Sequence, residues 1–398
     1  MVFPRIAFRL LKEMDKVCLG KLAWNMGYKG MKAMRAFEKR GRRSEVFPPF
    51  LFISLTDACN LRCQGCWTRP SLGSRSLTGE DVDLVIRTAR MKGSHFFGLL
   101  GGEPLLWDGL FDLMARWPDC YFQVFTNGTL LDAERAEKMR VLGNVTPLIS
   151  VEGVEDTSDI RRGGEKVHER AMAAIECARN AGLFIGVASS ICQSNIEDLA
   201  SGRFVEEMIR KGVHYLWYYI YRPVGPEPSP ELALSGEQIV HLRRFMVEER
   251  LLSPILIIDA YWDHLGRAIC PAAAGISHHV GPAGDIEPCP PIQFSKENIR
   301  GDARVDRLIQ NSLFLRDFRD FAARTTMGCV LLEAPQDLEK FVSSQEAKDT
   351  TGRGTGLQEI QAMTARDGHH QPGREIPERS FFYRWAKKKW FCGLGAYG

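Results

Sequence analysis

Three cysteines fall in one short run, Cys59-Asn-Leu-Arg-Cys63-Gln-Gly-Cys66, directly after the β-rich segment Phe50-Leu-Phe-Ile-Ser-Leu-Thr56. Thiolates spaced as CxxxCxxC on one loop can hold three irons of a 4Fe-4S cluster. A closed cluster needs four ligands, so the fourth iron is left open, able to bind an external amine and carboxylate. Two plainer readings compete: a structural zinc knuckle, and a group of buried thiols with no metal. Zinc sites favour four ligands in paired CxxC or CxxH spacing, and no fourth ligand lies nearby in the sequence.

Such a loop needs a scaffold. After Phe50–Thr56 come a predicted helix from Thr78 to Lys92 and then alternating elements. The strand-like runs are Phe96–Leu100, Cys120–Phe125, Pro147–Val151, Leu183–Ser189 and His214–Ile220; the helical patterns are Asp132–Leu142, Glu165–Ala181 and Ile196–Lys211. Repeated strand-helix units predict a parallel α/β sheet closing as a barrel or part-barrel, with its site at the C-terminal strand ends. The proline-rich stretch Tyr221–Pro230 is the expected domain boundary. Beyond it lie a helix at Ser235–Arg250, a strand at Ile255–Ile258 and a loop and hairpin at Cys270–Cys289. Residues 343–379 show no periodicity and read as a long loop or flexible tail. Before the barrel, Phe3, Ile6, Leu10, Leu11, Met14, Val17, Cys18, Leu22 and Trp24 recur at helical steps with basic residues between them. The expected division is a basic amphipathic helical arm (1–48), a barrel (49–228), a second cysteine-bearing unit (229–335), and a polar loop with a basic aromatic tail (336–398).

The run Thr56-Asp-Ala-Cys-Asn-Leu-Arg-Cys63 resembles the cluster loop of the radical S-adenosylmethionine (SAM) superfamily, and further motifs follow in that family's order. Gly101-Gly102-Glu103-Pro104 is similar to its GGEP motif. Phe125-Thr-Asn127-Gly128 is similar to its third-strand element. Ser150-Val-Glu152-Gly153 resembles S-x-D-G with Glu for Asp, and Arg162 falls where many members place an arginine near the SAM carboxylate. The resemblance covers roughly residues 50–225 and implies a partial (β/α)6 TIM-like barrel. It further implies a 4Fe-4S cluster on Cys59, Cys63 and Cys66, and SAM held by Gly101, Gly102, Glu103, Asn127, Ser150, Glu152 and Arg162. Gly65 departs from the pattern: an aromatic residue usually precedes the third cysteine, and here Trp67 follows it instead. The stretch from Cys270 through Gly284 to Cys289 resembles the opening hairpin of the auxiliary-cluster extensions called SPASM and twitch. On that resemblance Cys329 is the natural third ligand, with Cys392, another group or the substrate as the fourth. The closely spaced cysteines that complete a SPASM pattern are absent, so a twitch-like single auxiliary cluster matches better. Cys270, Cys289 and Cys329 could also be ordinary core thiols, and His278 and His279 read as loop residues. Cys18, Cys120, Cys177 and Cys192 read as buried small hydrophobes. Tyr215, Trp217, Tyr218, Tyr219 and Tyr221 lie on or beside the last barrel strand and read as core packing, with alternate ones expected to line the cavity.

With 398 residues and 44% apolar content, the chain can fill a globular core. Its net charge of +3 is uneven: residues 1–48 hold twelve Lys and Arg against four acids, about +8, and the remainder is about −5. Arg5, Arg9, Lys12, Glu13, Asp15 and Lys16 interrupt any signal-peptide-like apolar run, and no stretch nears the roughly 20 apolar residues of a membrane span. The expected location is the cytoplasm, or the inner face of the membrane through the basic arm and the aromatic-basic end Phe381–Phe391. Expected partners are SAM, an electron donor such as flavodoxin or ferredoxin, a substrate the sequence does not name, and an anionic membrane surface; nucleic acid is not among them. Three functions follow: a radical SAM enzyme abstracting hydrogen, through a 5′-deoxyadenosyl radical, from a lipid or membrane-associated substrate; one modifying a ribosomal peptide or small molecule; and a non-catalytic iron-sulfur carrier or sensor.

Overall fold

The computed structural model describes residues 2–43, 45–69, 73–301 and 304–390. Six strands follow one another in the predicted order: β1 (Phe50–Ser54), β2 (Phe96–Leu100), β3 (Tyr121–Thr126), β4 (Val145–Ser150), β5 (Gly186–Ile191) and β6 (Tyr215–Ile220). All pair in parallel, and their near-continuous burial explains why they read as apolar runs rather than as alternating patterns. Helices return the chain between them. The helix Gly79–Met91 starts where Thr78 and Asp81 form a reciprocal capping box, and Ala133–Leu142 runs from its Asp132 cap to Gly143 in the left-handed region.

The sheet does not stop at the proline-rich boundary. β7 (Leu256–Ile258) adds in parallel beside β6, and β8 (Ser277–Val280) adds in parallel on the far side of β1, with β9 (Ile286–Glu287) antiparallel beyond it. The order is β7-β6-β5-β4-β3-β2-β1-β8-β9. His278 and His279, expected in a loop, are therefore fully buried strand residues paired with Leu51 and Phe52. The reason is β1: with β2 on one side only, its other edge exposes backbone donors and acceptors, and β8 satisfies them.

Inside the barrel, Phe52, Phe125 and Trp217 form a row with successive ring centroids 5.8 Å apart. This row separates two cavities. Along β6, Tyr215 and Trp217 line the one at the N-terminal strand ends, Tyr219 and Tyr221 line the one at the C-terminal ends, and Tyr218 points outward to bond the Leu199 carbonyl.

The arm forms helices Val2–Glu13, Lys16–Lys21 and Lys29–Gly41, with a π-helical turn at Leu22–Tyr28. It covers the N-terminal end of the barrel. Several of its basic side chains cap carbonyls of loops that lead into strands: Arg9 on Pro254 and Val213, Lys21 on Leu142 and Lys29 on Asp119. Among the described residues no helix is long and apolar enough to cross a membrane.

Residues 343–379 are not the loose segment that their composition predicts. They contain a strand, Lys348–Asp349, paired with Phe294–Ser295, and a helix, Gly356–Gln361, and they bury Thr350, Thr351, His369 and Glu378. Polar contacts fix them where hydrophobic periodicity is missing. Glu378 joins Asp259, Arg243, Arg250 and Lys387 in a buried ion network that anchors the last described helix, Phe381–Lys389.

Candidate active site

The cysteine loop leaves the C-terminal end of β1 and is held from three sides. From below, the turn after β2 supports it: Gly102 N donates to the Thr56 carbonyl and Glu103 N to that of Ala58, both at 2.8 Å. A Cβ at Gly101 or Gly102 would collide with the carbonyl oxygens of Thr56 and Ala58, so the motif's glycines are needed for this approach of backbone to backbone. From the side, Asn127 Nδ2 donates to Asn60 Oδ1 at 2.9 Å. From outside, Arg75 pairs with buried Asp57 and also donates to the Thr350 and Thr351 carbonyls, while Arg353 donates to the carbonyls of Trp67 and Arg69. The supposedly loose polar segment is thus a clamp on the cysteine loop.

Cys63 and Cys66 lie close enough to Cys59 to disfavour its ionisation, and Cys66 does the same to Cys63. Crowding around the Cys59 sulfur pushes its thiol up to about 12, with Cys63 and Cys66 adding to the rise. Burial also raises Cys63, opposed by Arg162, whose Nη1 lies 3.5 Å from the sulfur. Thiols that resist ionisation by themselves and sit beside a guanidinium suit an iron cluster, which takes them as thiolates and releases their protons. Among the described residues no three His, Cys, Asp or Glu side chains converge as tightly as a single ion requires. A four-iron cube spreads its sulfurs wider than a zinc ion with Zn–S of about 2.3 Å.

The residues expected to meet SAM divide into two groups. Glu152 and Arg162 line the cavity beside Cys63 and Cys66, 3.4 Å apart, with Glu152 also accepting from Ser190 N. Glu103 and Asn127 do not line it. The Glu103 carboxylate is wholly buried and accepts from Leu105 N, Thr126 Oγ1 and Asn127 N at 2.7–3.0 Å, so its side chain ties β2 to β3. Gly101 and Gly102 lie half-buried under the loop, and Ser150 ends β4.

Gly65 has φ +64°, and a Cβ there would fall on the Tyr221 hydroxyl and within 2.7 Å of its Cζ. Tyr221, from the end of β6, occupies the ground that a loop aromatic would need. Tyr221 and Trp67 both line the cavity, of about 270 Å³. A second cavity, of about 580 Å³, shares Cys63 and Cys66 and opens toward Cys59, Arg62 and Arg69.

Cys270, Cys289 and Cys329 also meet, although up to 59 positions separate them. Gly284, at φ +87°, makes the turn between β8 and β9 that carries Cys289 back toward Cys270, and Cys329 precedes the helix Val330–Glu333. Burial pushes the Cys270 thiol up to about 11, with Cys329 contributing; burial also raises Cys289, with Cys270 and Cys329 adding to the rise. Arg222 Nε donates to Cys329 Sγ at 3.2 Å and its guanidinium lies over the Tyr261 ring. These three thiols with a cation fit a second cluster. Cys392 lies outside the described residues.

Three functional candidates escaped the sequence reading. Arg222 lines the same cavity as Cys63 and Cys66. Arg161, 4% exposed, stacks over Tyr221 at 4.7 Å, and its Nε and Nη1 have no hydrogen-bond partner among the described residues. His279 bridges Ser54 at 2.8 Å and Glu287 at 2.6 Å behind the cysteine loop. Arg161 precedes Arg162 and Arg222 lies in the proline-rich boundary stretch, and nothing in their spacing separates them from surface arginines.

Residues 53–196 match the sequence profile described as the Radical SAM superfamily. The AdoMet-dependent heme synthase of Methanosarcina barkeri is 27% identical over 199 residues, 49% of this chain and 57% of that protein. The PqqA peptide cyclase of Streptomyces rochei is 27% identical over 257 residues, 61% of this chain and 69% of that protein. Thus little more than half of the first relative is matched. The crystal structure of Streptococcus suis SuiB bound to precursor peptide SuiA superposes with a TM-score of 0.62 over 85% of this chain and 80% of that one, at 15% identity, a likeness of fold. Residues 53–196, whose motifs surround the Cys59, Cys63 and Cys66 loop, thus form a radical SAM superfamily domain.

Proposed function

We propose that this chain is a radical SAM enzyme with a twitch-like auxiliary cluster, acting on a carboxylate-bearing peptide or peptide-like molecule held between the two thiol groups. One observation carries the reading: Cys63 and Cys66 from the first group and Arg222, bonded to Cys329 of the second, line a single cavity. Cys59, Cys63 and Cys66 would hold a 4Fe-4S cluster, and Cys270, Cys289 and Cys329 another. When bound, the first cluster and SAM supply reductive cleavage of SAM and so hydrogen abstraction from the substrate.

The chain's own residues position and enclose. Arg162, paired with Glu152 beside Cys63, suits the SAM carboxylate, and the backbone at Gly101–Gly102 suits its amino group because the Glu103 carboxylate is already committed. Tyr221 and Trp67 offer aromatic faces for adenine. Arg161 is buried and reaches Glu152 through Nη2 at 4.0 Å, but its Nε and Nη1 are unbonded among the described residues, and we assign them to a substrate carboxylate. Phe52, Leu100, Phe125, Ile220, Pro290 and Pro291 give the rest of the wall an apolar character and exclude water. The peptide assignment draws on relatives named as a peptide cyclase and as bound to a precursor peptide. A lipid substrate has less support, because the basic aromatic ends that motivated it sit at the other end of the barrel, a strand length of roughly 17–20 Å from the cysteine loop.

Anaerobic reconstitution with iron counting tests the reading. About eight irons per chain are expected, falling to about four in a Cys59→Ala/Cys63→Ala/Cys66→Ala variant. Strong reductant and SAM should yield 5′-deoxyadenosine with the parent and none with the variant; no 5′-deoxyadenosine from the fully loaded parent would instead make this an iron-sulfur carrier or sensor.

A further inference from the structure

The helix Val2–Glu13 is apolar over more than its core contact requires. At 100° per residue, Ile6, Leu10, Phe3, Ala7, Leu11, Pro4 and Phe8 fill a continuous arc of roughly 200°. Only part of that arc faces the barrel. Ile6 is buried, whereas Phe8 and Leu11 are 66% and 70% exposed. The last described helix, Phe381–Lys389, repeats the pattern: Tyr383 and Ala386 are buried, while Phe381 and Trp385 face outward. Phe3 stacks on Phe382 with ring centroids 4.5 Å apart, which joins the two outer faces into one surface. Between the helices lies a cavity of about 350 Å³, almost wholly apolar, reached past Phe3, Phe382 and Trp385 and floored by Trp217 and Leu256.

Charge identifies the partner. Lys12, Arg384 and Lys388 on these two helices, and Lys16 at the start of the next, make no ion pair or side-chain hydrogen bond among the described residues. The acid of the first helix, Glu13, is taken by Arg9 at 2.9 Å and His214 at 3.4 Å, and Phe381–Lys389 has no acid. An exposed apolar stripe edged by unopposed cations, with phenylalanine and tryptophan at the boundary, matches the interface of an anionic bilayer. A protein partner of matching shape would bury Phe8 and Leu11 equally well but would not need cations left out of ion pairs.

We propose that the outer faces of Val2–Glu13 and Phe381–Lys389 form a docking surface for anionic lipid bilayers. The protein then lies with its N-terminal strand ends against the membrane and its cysteine loop turned to the solvent, where a water-soluble substrate reaches it. Docking and catalysis occupy opposite ends of the barrel, so this inference stands or falls apart from the proposed reaction.

Flotation of the full-length holoprotein with phosphatidylcholine vesicles, with and without phosphatidylglycerol, tests it. The parent should float with the anionic vesicles and stay behind with the neutral ones. Replacing Phe8→Ser and Leu11→Ser together should lower the partition coefficient by roughly tenfold or more. Each of Lys12→Gln, Lys16→Gln and Lys388→Gln should lower it by about fivefold, with a thermal midpoint and iron content equal to the parent's. No flotation of the parent, or flotation unaffected by both sets of variants, overturns the proposal. It is also overturned if the parent sediments as a dimer that Phe8→Ser/Leu11→Ser dissociates while vesicles bind neither, for the face would then belong to a second copy of this chain.

Discussion

Asp259→Asn should cost the fold several kcal/mol without touching either thiol group. Asp259 is 1% exposed and receives Arg250 at 2.5 Å, Lys387 at 3.1 Å and Arg243 at 3.5 Å; among the described residues Glu378 is the other acid in the network. Burial works to raise the pKa of Asp259, but Lys387, Arg250 and Arg243 outweigh it and hold the carboxylate far below its usual range. Asparagine keeps the shape and removes the charge, leaving three buried cations against one anion. Breaking a buried pair in this way costs about 3–5 kcal/mol. With an unfolding entropy of about 2.1 cal/mol/K per residue, 398 residues give roughly 0.8 kcal/mol/K, so about 4 kcal/mol lowers Tm by about 5 °C. A depressed carboxylate pKa stabilises the fold at pH values above its unfolded value of 3.8, and the contribution fades as pH falls below that. The deficit of Asp259→Asn should therefore be full at neutral pH and shrink in acid. Differential scanning calorimetry of parent and variant at neutral pH and at pH near 3.8 measures both. A variant melting within about 1 °C of the parent at neutral pH would refute the reasoning, since it would mean the network's cations are relieved by water.

Other expectations bear on the site. Gly65→Ala should reduce iron in the first cluster toward the level of the triple cysteine variant, because the new methyl meets the Tyr221 ring; Gly65→Ala/Tyr221→Ala should recover part of the iron, with about 1 kcal/mol of left-handed backbone cost remaining. Arg353→Met removes donors to the Trp67 and Arg69 carbonyls, so the first cluster should be lost to a chelator several times faster while its starting occupancy stays near the parent's. Arg222→Met removes a charged donor to Cys329 and should lower the auxiliary cluster's midpoint potential, read by EPR titration, by about 60 mV if that bond strengthens by about 1.4 kcal/mol on reduction. Burial holds His278 down to about 4 and His369 to about 3, against an ordinary 6.5. The unfolded chain therefore binds the extra protons between those values, and stability should fall steadily as pH drops from 6.5 toward 4; a Tm independent of pH across that window would contradict their burial.

The cysteine loop, the glycine turn after β2 and the order of six parallel strands are local matters, and local patterns reveal them. CxxxCxxC after an apolar run puts three thiols on one loop through spacing alone. Gly101, Gly102 and Gly284 are glycines for steric reasons that a neighbour or a turn makes visible. The clamp of Arg353 on the cysteine loop, the pairing of Lys387 with Asp259 and the pairing of β8 with β1 link residues more than 100 positions apart. These links leave no periodicity, because one hydrogen bond or ion pair constrains a single side chain rather than a face. The same holds for Glu103, which reads as a ligand group until its carboxylate is found committed to Leu105, Thr126 and Asn127. At the two ends of the chain, composition showed basic and aromatic residues but could not say which side of each helix they occupied. Packing against the barrel decided that, burying Ile6 and Tyr383 and leaving Phe8, Leu11 and Phe381 outside, since only the folded barrel supplies the surface against which an inner face is defined.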